Sequence, residues 1–269
     1  MHEIDISKKN LYTDLVLEKK LDTTNDKIIN KNNNIKVVRS TIKNNNYTTI
    51  FYNDITDKDN FNKVQKVFVN ELKKYLNLKA EDIILVVGLG NDKSTPDSLG
   101  PEVINNILVT RYLFLLGDVE EGYSNVASFT PNVTGNTGIE TSRIIKSIIK
   151  ESNATKVIIV DSLKTNNISR LGKTIQITNK GISPGSGVNN NREEISKKTM
   201  NTDIIAIGIP TVVDIKNIIE NISKLEFTTK ENLIVTPTNI DFLIEKLSLL
   251  IGNGINLTLH RNFIRQNNI

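Results

Sequence analysis

The pattern of hydrophobic and polar residues divides this chain near residue 82. Residues 1–34 are polar, rich in Asn and Lys, and have no sustained apolar period, so we predict an extended or mobile arm. The runs IKVVRSTI and YTTIFY then flank the polar KNNN, which predicts a β-hairpin. Behind a polar cap at 57–60, helical spacing predicts an amphipathic helix to about Leu78, through Phe61, Val64, Phe68, Leu72 and Tyr75.

After residue 82, short apolar runs alternate with helical patterns. The runs IILVV, KVIIV, IIAIGI and NLIV are typical of strands covered on both faces, and VASFT and KTIQIT add two further strands. Helices are predicted over 99–116, 139–151, 212–225 and 240–250. The alternation indicates an α/β fold: a three-layer sandwich with a mostly parallel, twisted sheet, helices on both faces, and the N-terminal hairpin and arm.

Composition narrows the classes of function. The 269 residues are 38% hydrophobic, enough for one substantial core, and the net charge is +4 with a pI near 9.0. The basic residues are scattered and only 5% of residues are aromatic, so we expect no direct nucleic-acid partner. The absence of cysteine excludes a disulfide framework, thiolate catalysis and Cys zinc sites. Without a signal-peptide core or a long uninterrupted apolar run, we expect a soluble intracellular protein that does not enter a membrane.

Candidate chemistry lies where predicted parallel strands end, because ligands and catalytic groups collect there in open α/β sheets. Asn91, Asp92 and Asp97 follow the first of these strands, Asp161 ends the second in IIVDSL, and Asp214 follows IIAIGIPTVVD. Two Gly-rich connections, PNVTGNTGIE and GISPGSGVNNNREEIS, lie in similar positions. If the strands of Asp97 and Asp161 are neighbours, the two carboxylates can converge, so that one ionises and the other keeps its proton. Such a pair can divide base and acid roles in peptide hydrolysis.

Several alternatives remain open for the same residues. Asp97 could cap the helix that follows it, and Asp161 could form a turn. GLGNDK begins a dinucleotide-binding pattern, but the third glycine is replaced by Lys93 and no helix starts directly behind the turn. A Mg²⁺ site made of carboxylates is a further alternative, while a transition-metal site would want imidazole, and the only histidines lie near the chain ends.

For other polar residues near these loops, the sequence favours a structural role over a catalytic one. A Ser nucleophile at Ser98, Ser162 or Ser186 has no central His to act as its base. Glu140 falls in the first turn of a predicted helix, where the helix dipole favours an acid in any case.

In five ordered motifs the chain resembles the germination protease family of spore-forming bacteria: VVGLGNDKSTPDSLGPEV, PNVTGNTGIETSRII, IIVDSL, ISPGSGVNNNREEIS and IIAIGIPTVVD. The resemblance extends to YTDLVLE and to LIVTPTNIDFLIEKLSLLIGNGINLTLH, and so touches most of the chain. It departs from the family in a shorter span between 213 and 235 and in a less basic GVNNNREE loop.

The resemblance implies an atypical aspartic endopeptidase without metal or other cofactor, similar in fold to hydrogenase maturation proteases. Its catalytic pair falls on Asp97 and Asp161. The family matures from an inactive tetrameric zymogen by autocleavage, which here falls between Asp14 and Leu15, so residues 1–14 are the expected propeptide and 15–269 the protease domain.

The implied substrates are small acid-soluble spore proteins, and the implied location is the cytoplasm of the developing spore and the spore core. Side chains and loops around four positions are expected to shape the substrate cleft: Asn91, Gly135, Gly187 and Arg192.

Overall fold

A single mixed β-sheet forms the centre of the protein. The computed structural model describes residues 14–18, 27–32, 34–183, 193–223, 233–261 and 263. The strands are β1 Lys27–Asn32, β2 Ile35–Ile42, β3 Asn45–Tyr52, β4 Ile83–Gly88, β5 Asn125–Phe129, β6 Lys156–Thr165, β7 Thr174–Thr178, β8 Asp203–Asp214 and β9 Ile234–Val235. They lie in the order β1-β2-β3-β7-β8-β6-β4-β5, and β9 pairs with the end of β8.

The parallel part of the sheet carries the candidate site. β8, β6, β4 and β5 are parallel neighbours, whereas β7, β3, β2 and β1 continue the sheet antiparallel. The predicted hairpin is confirmed as β2 and β3. Residues 27–32 are extended but form a strand of the sheet, which the prediction of an arm missed, because KIINKN has too few apolar residues to reveal a pairing with β2.

Helices cover both faces of the sheet, as predicted. They are α1 Lys58–Leu76, α2 Leu99–Ile104, α3 Arg111–Leu116, α4 Thr134–Thr137, α5 Thr141–Ser152, α6 Lys197–Met200, α7 Ile215–Ser223 and α8 Ile240–Leu259. Alternate residues of β4 point into two separate cores: Ile84 and Val86 pack with α1, α2 and α8, whereas Leu85 and Val87 pack with α5 and α6. The three-layer α/β architecture is therefore confirmed.

The prediction of one helix over 99–116 is wrong, because the chain breaks between α2 and α3. The Asn106 amide donates to the carbonyl of Glu102 (2.9 Å), and Asn256 of α8 binds the main chain on both sides of the break, at Asn106 O (2.8 Å) and Leu108 N (2.9 Å). Ile107 still packs against the core, so the apolar spacing continues across a turn that only a distant residue specifies.

Two other boundaries also shift. β8 extends to Asp214, so α7 begins at Ile215, later than predicted. α8 continues to Leu259, beyond the predicted end at residue 250, and its Gly252 and Gly254 allow close approach to Asn106 and Phe68. By length and composition α8 could cross a membrane, but 67% of its apolar window is buried, and it packs on α1 and α2 as a core helix.

Candidate active site

The loop after β4 folds back tightly on Asp97. Gly90 has φ of +123°, and a Cβ built there would lie 1.9 Å from the carbonyl oxygen of Asp97, so a side chain cannot fit. The Asn91 N–H donates to the same carbonyl (3.0 Å), and the Asp97 N–H donates to Ser94 O (2.7 Å). The N–H groups of Asn91 and Asp97 are therefore already bonded within the loop, where a nucleotide-binding loop would offer such groups to a phosphate.

The glycines before this loop allow α2 to approach β4. A Cβ at Gly88 would lie 2.2 Å from the carbonyl oxygen of Gly100 in α2. Asp97 ends a 3-10 turn, Thr95–Asp97, and the N-cap position of α2 is Ser98, so Asp97 does not occupy the capping position. From β8, the Thr211 hydroxyl donates to Pro96 O (2.6 Å), which fixes the turn to a second strand.

Asp161 lies within β6 rather than at its end. β6 continues to Thr165, and Asp161 pairs in register with Gly208 of β8, so the alternative that it forms a turn is wrong. The residue before it, Val160, pairs with Gly88 at the end of β4. The side chain is largely buried. This register brings Asp161 to the level at which the chain leaves β4 toward Asp97.

Asp97 and Asp161 line one cavity of about 310 Å³ at the carboxyl edge of the parallel strands. Asp14 lines the same cavity, and so do Ser162 and Thr211. The structure therefore brings together three carboxylate residues that are far apart in sequence, including the residue before the predicted autocleavage bond.

Residues 14–18 are bound to the end of β6. The Asp14 N–H donates to Lys164 O (3.0 Å), and the Lys164 N–H donates to the Asp14 carboxylate (2.9 Å). Leu15 and Val16 are buried, at 1% and 3% exposure. The predicted autocleavage bond is thus held beside the cavity by one main-chain hydrogen bond and by one from the Lys164 N–H to the Asp14 carboxylate, and a 3-10 turn over Val16–Glu18 follows it.

Glu18 anchors the other end of this segment. Its carboxylate accepts hydrogen bonds from the Thr165 hydroxyl (2.5 Å), the Asn166 N–H (2.7 Å) and the Arg170 guanidinium (3.1 Å). The side chain of Glu18 is only 6% exposed, so these three donors replace most of its contact with water.

The other predicted cleft residues lie differently. Asn91 is half-buried and accepts a hydrogen bond from Asn136 (3.2 Å), beside the cavity rather than in its lining. Gly135 lies in α4 on the surface. Gly187 and Arg192 lie outside the described residues.

Asp214 and Glu140 differ in the hydrogen bonds that their carboxylates accept. Asp214 accepts from Lys164 Nζ (2.9 Å) and from the Lys216 N–H (2.8 Å). In the described part of the chain, neither Glu140 Oε1 nor Ser162 Oγ has a hydrogen-bond partner, although both atoms are buried.

Sequence reasoning missed Lys164 and Gln176. Lys164 follows Asp161 by three residues, and its buried ammonium is paired with Asp214. Gln176 is a buried polar residue in the otherwise apolar or β-branched run TIQIT of β7, and this position was the available signal. Both residues contact the 14–18 segment, whose position cannot be inferred from local sequence.

Within the described ranges, no group of three His, Asp or Glu side chains is arranged so that it could hold a metal ion. His260 is buried at the opposite edge of the sheet, where its Nδ1 accepts from the Ser124 N–H (3.2 Å) and its Nε2 faces Leu108 O (3.2 Å). Burial lowers the pKa of His260. It cannot serve the cavity as a base.

Comparison with known proteins gives extensive similarity. A family model described as germination protease matches residues 7–231. The germination protease of Caldanaerobacter subterraneus subsp. tengcongensis is 40% identical over 239 residues, covering 76% of this chain and 74% of the relative. That of Bacillus velezensis is 36% identical over 280 residues, covering 78% and 76%.

A germination protease of Clostridium perfringens is 34% identical over 292 residues, covering 94% of this chain and 89% of the relative. That alignment is longer than this chain of 269 residues, so the relative has residues without a counterpart here. Among solved structures, the NiFe hydrogenase maturation protease HycI from Thermococcus kodakarensis is similar at 17% identity with a TM-score of 0.40, covering 69% of this chain and 99% of that one. The match over most of the sequence shows that the chain belongs to the germination protease family.

Proposed function

We propose that this peptidase is an aspartic-type endopeptidase in which Asp97 and Asp161 act together on a water molecule. The observation that carries the proposal is the cavity of about 310 Å³ that both aspartates line, with Asp14 at its edge. Asp161 lies in β6 at the level where the loop that carries Asp97 leaves the neighbouring strand β4, so a peptide bond at this edge can meet both carboxyl groups.

The two carboxyl groups divide the work of hydrolysis. One, ionised, takes a proton from water while the water oxygen bonds to the peptide carbon, and the other donates its proton to the carbonyl oxygen. The intermediate then collapses: the carbon–nitrogen bond breaks, and the amine leaves with a proton. The pair regains its single shared proton at the end of the cycle.

The same site acts on the chain's own N-terminal segment. We propose that the protein is a zymogen, that residues 1–14 are a propeptide, and that autoprocessing occurs between Asp14 and Leu15. Asp14 lines the cavity of the two aspartates, and two main-chain contacts with Lys164 hold it there. The protease domain is then residues 15–269.

Membership of the germination protease family supports a proposal for substrate, assembly and location. We propose that the mature enzyme degrades small acid-soluble spore proteins at germination in the spore cytoplasm, as a homotetramer without metal. An unstructured substrate can place one of its residues in the cavity as Asp14 is placed, with its N–H bonded to the main chain of β6. Incubation with such a spore protein, followed by mass spectrometry of the fragments, tests the substrate, and light scattering on the purified chain tests the assembly.

The sharpest experiment is self-processing of Asp97→Asn and Asp161→Asn in the full chain, read by intact mass over a range of pH. We expect each variant to slow cleavage by about 10²–10⁴-fold, since each removes an acid–base group. Asp92→Asn is the matched control, because Asp92 lies in the same loop but is exposed. Wild-type rates in either Asp97→Asn or Asp161→Asn contradict the proposal, and loss of wild-type activity after exhaustive chelation would favour a metal-dependent protease.

A further inference from the structure

Gln176 of β7 contacts the chain on both sides of the bond between Asp14 and Leu15. Its Oε1 accepts from the Val16 N–H (2.8 Å), and its Nε2 donates to the carbonyl oxygen of Asp14 (3.4 Å). That carbonyl belongs to the bond at which we place autoprocessing. Gln176 is buried, at 7% exposure, so its amide has little access to competing water.

The orientation of this amide is determined by its partners. The Val16 N–H can only donate, so the oxygen of the Gln176 amide must face it. The amide nitrogen therefore faces the Asp14 carbonyl oxygen, which can only accept. A donor is fixed on the oxygen at which negative charge develops during hydrolysis.

We propose that Gln176 is a further catalytic residue, which stabilises the oxyanion of the cleaved bond through Nε2–H. The inference rests on the proposed function. When water bonds to the Asp14 carbonyl carbon, the π electron pair of the carbonyl moves to its oxygen, and the Gln176 N–H donates to that oxygen until the acid of the pair protonates it. Side-chain amides serve as such donors in acyl-transfer enzymes.

Asp14 adjoins two neighbouring cavities, one lined by the aspartates and the other by Gln176. Asp97 and Asp161 line the first cavity, whereas Gln176 lines a second cavity of about 180 Å³ together with Val16. Asp14 lines both. In the proposed reaction, water attacks the Asp14 carbonyl carbon from the first cavity while Gln176 bonds the carbonyl oxygen.

The length of the hydrogen bond between Gln176 Nε2 and the Asp14 carbonyl oxygen suits a catalytic role. At 3.4 Å the contact with the neutral carbonyl is long, and a charged oxygen draws an N–H donor closer. An interaction that strengthens as charge develops accelerates the reaction, whereas one equally strong beforehand only binds the substrate.

The test compares self-processing rates of full-length Gln176→Met, Gln176→Glu and wild type by intact mass. Gln176→Met removes both contacts, whereas Gln176→Glu keeps an acceptor for Val16 N–H but loses the donor to Asp14 O. Gln65→Met is the matched control: Gln65 is also buried, and its Nε2 also donates to a main-chain carbonyl at 3.4 Å, that of Leu250 between α1 and α8. Thermal unfolding verifies that each variant is folded.

A second measurement distinguishes a catalytic role of Gln176 from a role in holding residues 14–18 beside the cavity. In an Asp161→Asn background, hydrogen exchange at the Asp14 N–H reports whether residues 14–18 stay bound to Lys164. With Gln176→Met added, we expect this exchange to change by less than about threefold while processing in the active background falls about 10²–10³-fold, the usual effect of removing an oxyanion donor.

Three outcomes overturn the inference. The first is processing of Gln176→Met or Gln176→Glu within about threefold of wild type. The second is a rise in Asp14 N–H exchange as large as the loss of processing, which makes Gln176 a structural clamp. The third is a folded wild type that never cleaves between Asp14 and Leu15, which overturns the proposed autoprocessing as well; the first two leave autoprocessing intact.

Discussion

The main chain of Gly90 lies directly against the carbonyl group of Asp97. The contact is possible because Gly90 has no Cβ and adopts φ of +123°, a region that other residues rarely enter. Through it, the turn that leaves β4 and the residue that lines the cavity form one rigid unit, so a change at Gly90 must displace Asp97.

Gly90→Ala is therefore expected to lower both stability and processing. Backbone strain alone costs about 1–3 kcal/mol, and the clash with Asp97 O adds to it. Urea unfolding measures the first effect and intact mass the second. Gly135→Ala is the control, since a Cβ there meets nothing within 4 Å, and we expect a change within about 0.5 kcal/mol. Equal stability of the two variants would contradict the assigned contact.

Glu18→Ala is expected to slow self-processing by at least tenfold. The change removes three hydrogen bonds to a buried carboxylate. One hydrogen bond to a charged group contributes about 1.5–3 kcal/mol. Loss of one such bond alone would therefore lower the population of the bound 14–18 segment by more than a factor of ten. Glu220→Ala, at a half-exposed helical pair, should process normally. An unchanged rate in Glu18→Ala would show that the anchor does not hold the bond beside the cavity.

Lys164→Met is expected to destabilise the fold by about 3–5 kcal/mol, because it leaves the Asp214 carboxylate with a buried, unpaired charge. Asp214→Asn added to Lys164→Met should recover part of this loss in urea unfolding. Lys197→Met is the control: Lys197 also pairs with an aspartate, Asp203, but its side chain is 74% exposed, so the pair contributes little. Similar losses in both single variants would argue against a buried pair.

His260 should make the protein less stable in mild acid. Burial lowers its pKa in the folded state, so between the folded and unfolded pKa values the unfolded chain binds more protons, and the free energy of unfolding falls as pH falls below about 6.5. His260→Gln should reduce this fall, measured by urea unfolding at pH 7.5 and 5.5. A fall of the same size in the variant would mean that other groups cause it.

The hydrophobic pattern of the strands made much of the fold predictable from the sequence. Continuous apolar runs identified β4, β6 and β8, and because neighbouring parallel strands end at one edge, Asp97 and Asp161 could be expected at one place. The geometry that the structure adds, a shared cavity, follows from the register of Gly88 with Val160.

Long-range contacts account for what could not be predicted. The break between α2 and α3 depends on Asn256, 150 positions after Asn106. Asp14 contacts Lys164 and Gln176, which lie 150 and 162 positions away. Such pairings leave no local period in the sequence. The polar residues 1–34 therefore predicted an extended or mobile arm, whereas Leu15 and Val16 are buried in the protein.

The anchors on Leu15, Val16 and Glu18 all lie after the proposed cleavage point, on the part that stays covalently attached to the enzyme. The new amino terminus would therefore remain tethered beside the cavity, and short tethers hold a ligand at an effective concentration in the millimolar range. A protein substrate would then compete with the enzyme's own new amino terminus for the cleft. On this view, cutting the bond and vacating the cleft are separate events, and the second sets how fast the processed enzyme begins to turn over substrate.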